Sequence, residues 1–179
     1  MPFTPFHFGP GAAFKAAAPS RFSFIIFCYS QVITDLEPGF YLLRGEYPVH
    51  RFFHTCLGAT LVGVFCALTG RPLGQLALRL WHAWFPAAFR GVVGPAVCIS
   101  WRVAFVSAFI GTYSHVFLDS IMHPDIVPLS PFSSENPMLH LVSLPLLHLF
   151  CIVLGIVGVL IYLMRSLKLK NCPPPRPGP

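Results

Sequence analysis

Charge is scarce in this chain. Of its 179 residues, 12 are Lys or Arg and six are Asp or Glu, and 55% are hydrophobic. Soluble domains carry about 25% charged residues. A chain with only 10% cannot cover itself with polar surface in water. Any CxxC pair is also missing. Cys28, Cys56, Cys66, Cys98, Cys151 and Cys172 lie far apart, most of them in apolar runs. There a thiol behaves as a small hydrophobe, so a zinc–thiolate site is not expected. The start, MPFTPFHFGPGAAFK, lacks the basic n-region and small-residue cleavage site of a secretory leader, and the first segments are expected to be retained. The net charge of +6 is spread over segment ends and the tail. It forms no patch for nucleic acid, and no nucleic-acid partner is expected.

What the chain does have is long apolar runs. Residues 141–164 are long enough to cross a hydrocarbon core of about 30 Å, and Arg165, Lys168 and Lys170 follow as a basic stop. Residues 95–120 and 52–70 read as two further spans, with Gly58, Ala59 and Gly63 allowing close helix contact in the latter. Residues 74–91 interleave Arg79, His82 and Arg90 with Leu, Trp and Phe, the pattern of an interfacial amphipathic helix. Residues 11–18 and 22–33 are short helix candidates separated by Pro19. They form either a hairpin or one kinked crossing helix. The expected fold is all-α: a polytopic integral membrane helical bundle over residues 1–168, with an N-terminal helical hairpin and an interfacial helix, followed by a Pro-rich disordered tail at 169–179.

Loop charge gives an orientation. Arg71, Arg79 and Arg90 lie between two spans, and Arg165, Lys168, Lys170 and Arg176 follow the last. Residues 121–140 contain no Lys or Arg, and residues 34–51 only Arg44 and Arg51. The positive-inside rule then predicts a multi-pass protein of the cell (inner or plasma) membrane with a cytoplasmic C-terminus.

The scarce ionisable groups gather on the opposite face. In SHVFLDSIMHPD, His115 and Asp119 are four apart, and His123 follows by four more, so all three share one side if a helix continues. Pro124 should stop it. In VHRFFHT, His50 and His54 repeat the spacing, which on a helix makes a two-ligand edge for a divalent metal. Asp35, with Glu37 beside it, falls at the same predicted depth. Asp35, His50, His54, His115 and Asp119 are therefore expected to converge. Intramembrane ionisable groups carry function by default, and a mixed imidazole–carboxylate set suits zinc, with Mn or Fe(II) as alternatives, better than Ca or Mg. His50, His54, His115 and Asp119 are the expected ligands, and Asp35 is a ligand or a catalytic base. His7, His123 and Asp125 are further ligands or groups that orient the imidazoles. His7 can join only if the N-terminal region is a hairpin.

An N-terminal His before a helix, then ITDLEP, HRFFHT and YSHVFLDSIMHPD, resembles the YdjM-type family of predicted membrane-bound metal-dependent hydrolases. The matching positions are His7, Asp35, His50, His54, His115 and Asp119, and the likeness runs to about Pro131. The family's PDxDH turn is TDLEP here, so its second acid corresponds to Glu37 and its His has no counterpart. The resemblance implies metal-assisted hydrolysis. A membrane-embedded site implies an amphiphilic substrate, a membrane lipid or a lipid-linked precursor, and a more distant likeness to all-helical zinc phospholipases and nucleases suggests a phosphoester. The same residues would also serve a metal or proton transporter, a haem-binding bundle, or helix–helix glue.

Overall fold

The computed structural model describes residues 4–85 and 98–170. Among these residues there are five α-helices and no strand: α1 (Phe8–Ala17), α2 (Phe24–Leu43), α3 (Cys56–Trp84), α4 (Trp101–Met122) and α5 (Leu144–Lys170). A 3-10 turn at Thr4–His7 leads into α1, and another at Phe52–His54 leads into α3. Three helices are long and apolar enough to cross a membrane: α3, α4 and residues Leu144–Ser166 of α5. With that many apolar faces, the chain is a membrane protein.

The N-terminal region is a hairpin. Pro19 follows α1 and ends it, since proline cannot continue the backbone ladder. The turn is clipped by Lys15, whose Nζ donates to the carbonyls of Pro19 at 2.7 Å and Phe22 at 3.0 Å. The backbone N–H of Ser23 then donates to Ser107 Oγ at 2.8 Å, fixing the start of α2 on α4. α2 is longer than its apolar run. It passes through Asp35 and Pro38 to Leu43, so Asp35 lies within the helix rather than at its end.

α2, α3 and α4 pack together around Ile26, Val62, Cys66, Ala67, Ala104 and Ala108. Small residues set their separation. A Cβ on Gly111 of α4 would collide with Ser30 Oγ of α2. Gly70 faces Tyr29, and Gly74 faces Ile99 and Ile25. This explains a correction to the expected boundaries. The span at residues 52–70 and the amphipathic stretch from residue 74 are one continuous helix to Trp84. Gly70 and Gly74 serve close packing rather than termination, and Pro72 is carried inside the helix. Arg90 and the rest of that stretch lie outside the described residues, as does the tail from residue 171.

α5 packs on α1, and its Leu147 and Cys151 meet Leu118 and Ile121 of α4 in a second buried cluster. A Cβ on Gly9 would strike the Cys151 carbonyl, and one on Gly158 would come within 2.6 Å of the Ala12–Ala13 backbone. Such small-residue contacts are how helices associate where lipid removes the hydrophobic driving force. Arg165 donates to the Ala16 carbonyl at the far end of the pair. Only 17% of the most apolar window of α5 is buried, and Ile152, Ile156, Val159 and Leu160 point outward, as expected of a face meeting acyl chains.

Candidate metal centre

The site lies where the C-terminal half of α4 meets α2, the start of α3 and the N-terminus. His115 and Asp119 occupy successive turns of α4, with Nε2 to Oδ2 at 3.1 Å. Asp35 of α2 approaches from one side, its Oδ1 3.1 Å from the same His115 Nε2. His54 enters from the turn before α3, its Nε2 3.4 Å from Asp119 Oδ2. Each of Asp35, His54, His115 and Asp119 offers a ligand atom, and these atoms lie within 4.8 Å of one another. Ligands around one tetrahedral zinc at bonds of 2.0–2.2 Å stand roughly 3.3–3.6 Å apart, so the 3.1–3.4 Å pairs already have that spacing, and a pair near the 4.8 Å limit would have to close by about an ångström to share the ion.

The hairpin delivers His7 to the same place. His7 Nε2 is 3.2 Å from Asp119 Oδ1, and its Nδ1 is 3.3 Å from His115 Nδ1. Asp119 thus touches three imidazoles, all of them buried.

One neighbour was not visible as a site residue in the sequence. Gln31 lies one turn before Asp35 on α2, and its Oε1 sits 2.6 Å from His115 Nδ1. Its Nε2 donates to the Gly111 carbonyl at 3.0 Å. A carbonyl can only accept, so it fixes which end of the amide faces which way. Oε1 must then accept from His115, and His115 Nδ1 carries the proton. The Nε2 lone pair of a neutral His115 consequently faces two carboxylates, Asp35 and Asp119. That arrangement calls for positive charge between them, either a second proton or a cation. The signal for Gln31 was a lone amide inside an apolar run, four residues before an acid.

The unpartnered atoms say the same. His54 Nδ1 and Nε2, His7 Nε2, His115 Nε2 and Asp119 Oδ1 are buried without a hydrogen bond of acceptable geometry. Yet several approach one another at ion-pair distances. Buried polar groups are normally hydrogen-bonded. Groups that instead cluster without such bonds fit a divalent ion by donor chemistry and proximity.

His50 does not join this group, contrary to the expected five-residue convergence. The chain at His50 is not helical: Arg51 has φ −118° and ψ −121°, and α3 begins only after Thr55. The spacing of four therefore does not place His50 and His54 on one helix face. His50 turns instead to Asp125, with Nδ1 2.9 Å from Oδ1. Asp125 Oδ2 also accepts from the backbone N–H groups of Val49 and His50. His123, expected in line with Asp119 on α4, is the residue after the last helical turn, with φ −112° and ψ 120°. It packs on His50 with ring centroids 4.3 Å apart. His50, His123 and Asp125 form a second group whose ligand atoms lie within 4.8 Å of one another.

The second group sits in the loops, and its titration is shifted. Burial lowers the pKa of His50, and the nearby His54 adds to this against the opposing pull of Asp125. Burial likewise lowers His123, against the charge of Asp119. For Asp125 burial works upward, but hydrogen bonds from His50 and Val49 outweigh it and hold the carboxyl below its ordinary range. Both imidazoles are therefore biased toward the neutral form that a metal requires.

Glu37 supports the entrance of His54. Its Oε2 accepts from the backbone N–H groups of Phe53 at 2.8 Å and Arg51 at 3.2 Å, and stands 3.7 Å from His54 Nδ1. Glu46 pairs with Arg44 and Arg51 on the surface, and His148 stacks on Phe6. The site opens on the side of Asp35, whose side chain is 30% exposed while those of His54 and His115 are fully buried. The chain matches no family model, no curated protein and no solved structure.

Proposed function

We propose that this chain is a membrane-bound metal-dependent hydrolase, with zinc the favoured ion and a phosphoester on a lipid or lipid-linked molecule the favoured substrate. The reading rests chiefly on one observation: Asp35, His54, His115 and Asp119, from three chain segments, bring ligand atoms within 4.8 Å of one another, and those of His54, His115 and Asp119 include buried atoms without a hydrogen bond. A divalent ion held there would lower the pKa of a bound water and polarise a phosphoryl oxygen. The remaining work falls to the chain. His54, His115 and Asp119 form a buried floor, with His7 against Asp119. Gln31 holds the His115 tautomer, and Glu37 holds the backbone before His54. Asp35, at the open edge, is placed to accept a proton from an attacking water. The reading extends what the resemblance to YdjM-type proteins implies.

The distribution of polar groups favours an enzyme over a transporter. A conduction path needs polar or ionisable groups through the membrane depth. Here the packed interior of α2, α3 and α4 away from the site holds Ile26, Val62, Cys66, Ala67, Ala104 and Ala108 with the hydroxyls of Ser30 and Ser107, while the buried charged and imidazole side chains among the described residues, His7, His54, His115 and Asp119, all lie at the site. Arg165, Lys168 and Lys170 at the C-terminal end of α5, with Arg71 and Arg79 in the second half of α3, support an orientation in the cell membrane with the C-terminus cytoplasmic and the site at the opposite face.

The test is turnover of a chromogenic phosphodiester and a short-chain phospholipid by the zinc-loaded, detergent-purified protein. Hydrolysis should require metal. Asp35→Asn should lower it about 10²–10⁴-fold, the usual contribution of a general base, while metal content persists. Full metal loading with no turnover of either substrate, and zinc uptake into proteoliposomes instead, would select the transporter.

A further inference from the structure

We propose that His50, His123 and Asp125 hold a second divalent cation beside the first, so that the site is a two-ion centre. This deepens the hydrolase reading and rests on it only for the role of the second ion, not for its existence.

Three observations carry the assignment. The first is geometry: three side chains from two separate loops bring one ligand atom each within 4.8 Å of one another. The second is His123. Its Nε2 is buried with no hydrogen-bond partner, although its ring packs against His50 at 4.3 Å. Asp125 is already anchored by the N–H groups of Val49 and His50 and by the His50 ring. A clip between the two loops would be complete with those bonds and would give a second inward-facing imidazole nothing to do.

The third is charge. Glu37, Asp119 and Asp125 crowd one end of the bundle beside Asp35, and the ion pairs of these three among the described residues are with imidazoles. With neutral imidazoles these three carboxylates carry more negative charge than one divalent cation balances, in a poorly solvated place where uncompensated charge is costly. The groups also share a wall, since the rings of His50 and His54 meet edge to face with centroids 4.7 Å apart. Two ions held side by side would clamp the attacking and leaving oxygens of a phosphoryl displacement.

The experiment is a metal count. The full-length protein is stripped with chelator in detergent, titrated with Mn(II) alone, desalted and analysed for bound metal per chain. Two ions are expected for the parent and one for His123→Ala, with His115→Ala losing the other. Saturation of the parent at one ion, or two ions retained by His123→Ala, would overturn the proposal. If His123→Ala fails to fold, the parent count and His50→Gln decide in the same way. Two bound ions without turnover sink the hydrolase reading and leave this one standing; one ion with turnover does the reverse.

Discussion

Gln31 and His115 are joined across α2 and α4 by a 2.6 Å hydrogen bond, and the Gly111 carbonyl on the far side of the amide sets its direction. An imidazole that donates through Nδ1 has only Nε2 to give to a metal. Partners of this kind orient ligands and tune their basicity, so the amide belongs to the site as much as the ring does.

Gln31→Leu should therefore weaken metal binding about 10–100-fold, the usual cost of losing such a partner. Gln31→Glu, which keeps an acceptor toward His115, should lose much less. Isothermal titration of the stripped protein with Zn(II) separates them. Equal affinities for Gln31→Leu and the parent would show that the tautomer is set elsewhere.

Asp119 is the carboxylate on which His7, His54 and His115 converge. Asp119→Ala should abolish binding at the first group while leaving the second loaded. Elemental analysis should read about one ion per chain if both groups bind in the parent. An unchanged metal content would remove Asp119 from the ligand set.

Glu37 receives two backbone N–H groups that lie before α3. Glu37→Ala leaves them without their acceptor, which costs about 1–3 kcal/mol where such donors are buried. The unfolding midpoint in detergent should fall, and His54 should be held less firmly. A variant with unchanged midpoint and metal affinity would show that water serves those donors equally well.

Gly158 is where α5 comes close to α1. A side chain there meets the Ala12–Ala13 backbone, so Gly158→Leu should push the helices apart, at an overpacking cost of about 1–3 kcal/mol. Because α1 follows directly on His7, the metal affinity should also drop. Cross-linking between cysteines placed at Ala12 and Gly155 would report the separation. Retained cross-linking would contradict it.

The parts of the site on regular helix were legible in the sequence. His115 and Asp119 are one turn apart because α4 is helical across both, and helical spacing fixes their relation. Pro19 marked the break but left a hairpin and a kinked crossing helix both open, and the structure has the hairpin, which brings His7 to Asp119. His50 and His54 were misjudged for the same reason in reverse. Their spacing means something only on a helix, and the backbone there is held off helical geometry by tertiary bonds, among them Cys56 N–H to the Pro128 carbonyl at 2.8 Å. No local pattern announces a bond to a residue 72 positions away, as 128 − 56 gives. Gly70 and Gly74 likewise read as breakers, although neighbouring side chains had made them contact points. Gln31 was legible in principle, since a lone amide in an apolar helix must find a partner.

The return of α1 to the bundle also orders events in time. His7 and His115 stand 108 positions apart, and within the first group Asp119 is synthesised last. The ribosome thus lays down the imidazoles of the N-terminus and of the turn before α3 well before the acid that gathers them. The four side chains of the first group cannot be gathered until α4 has entered the bilayer, which makes assembly of the site a closing step of biogenesis.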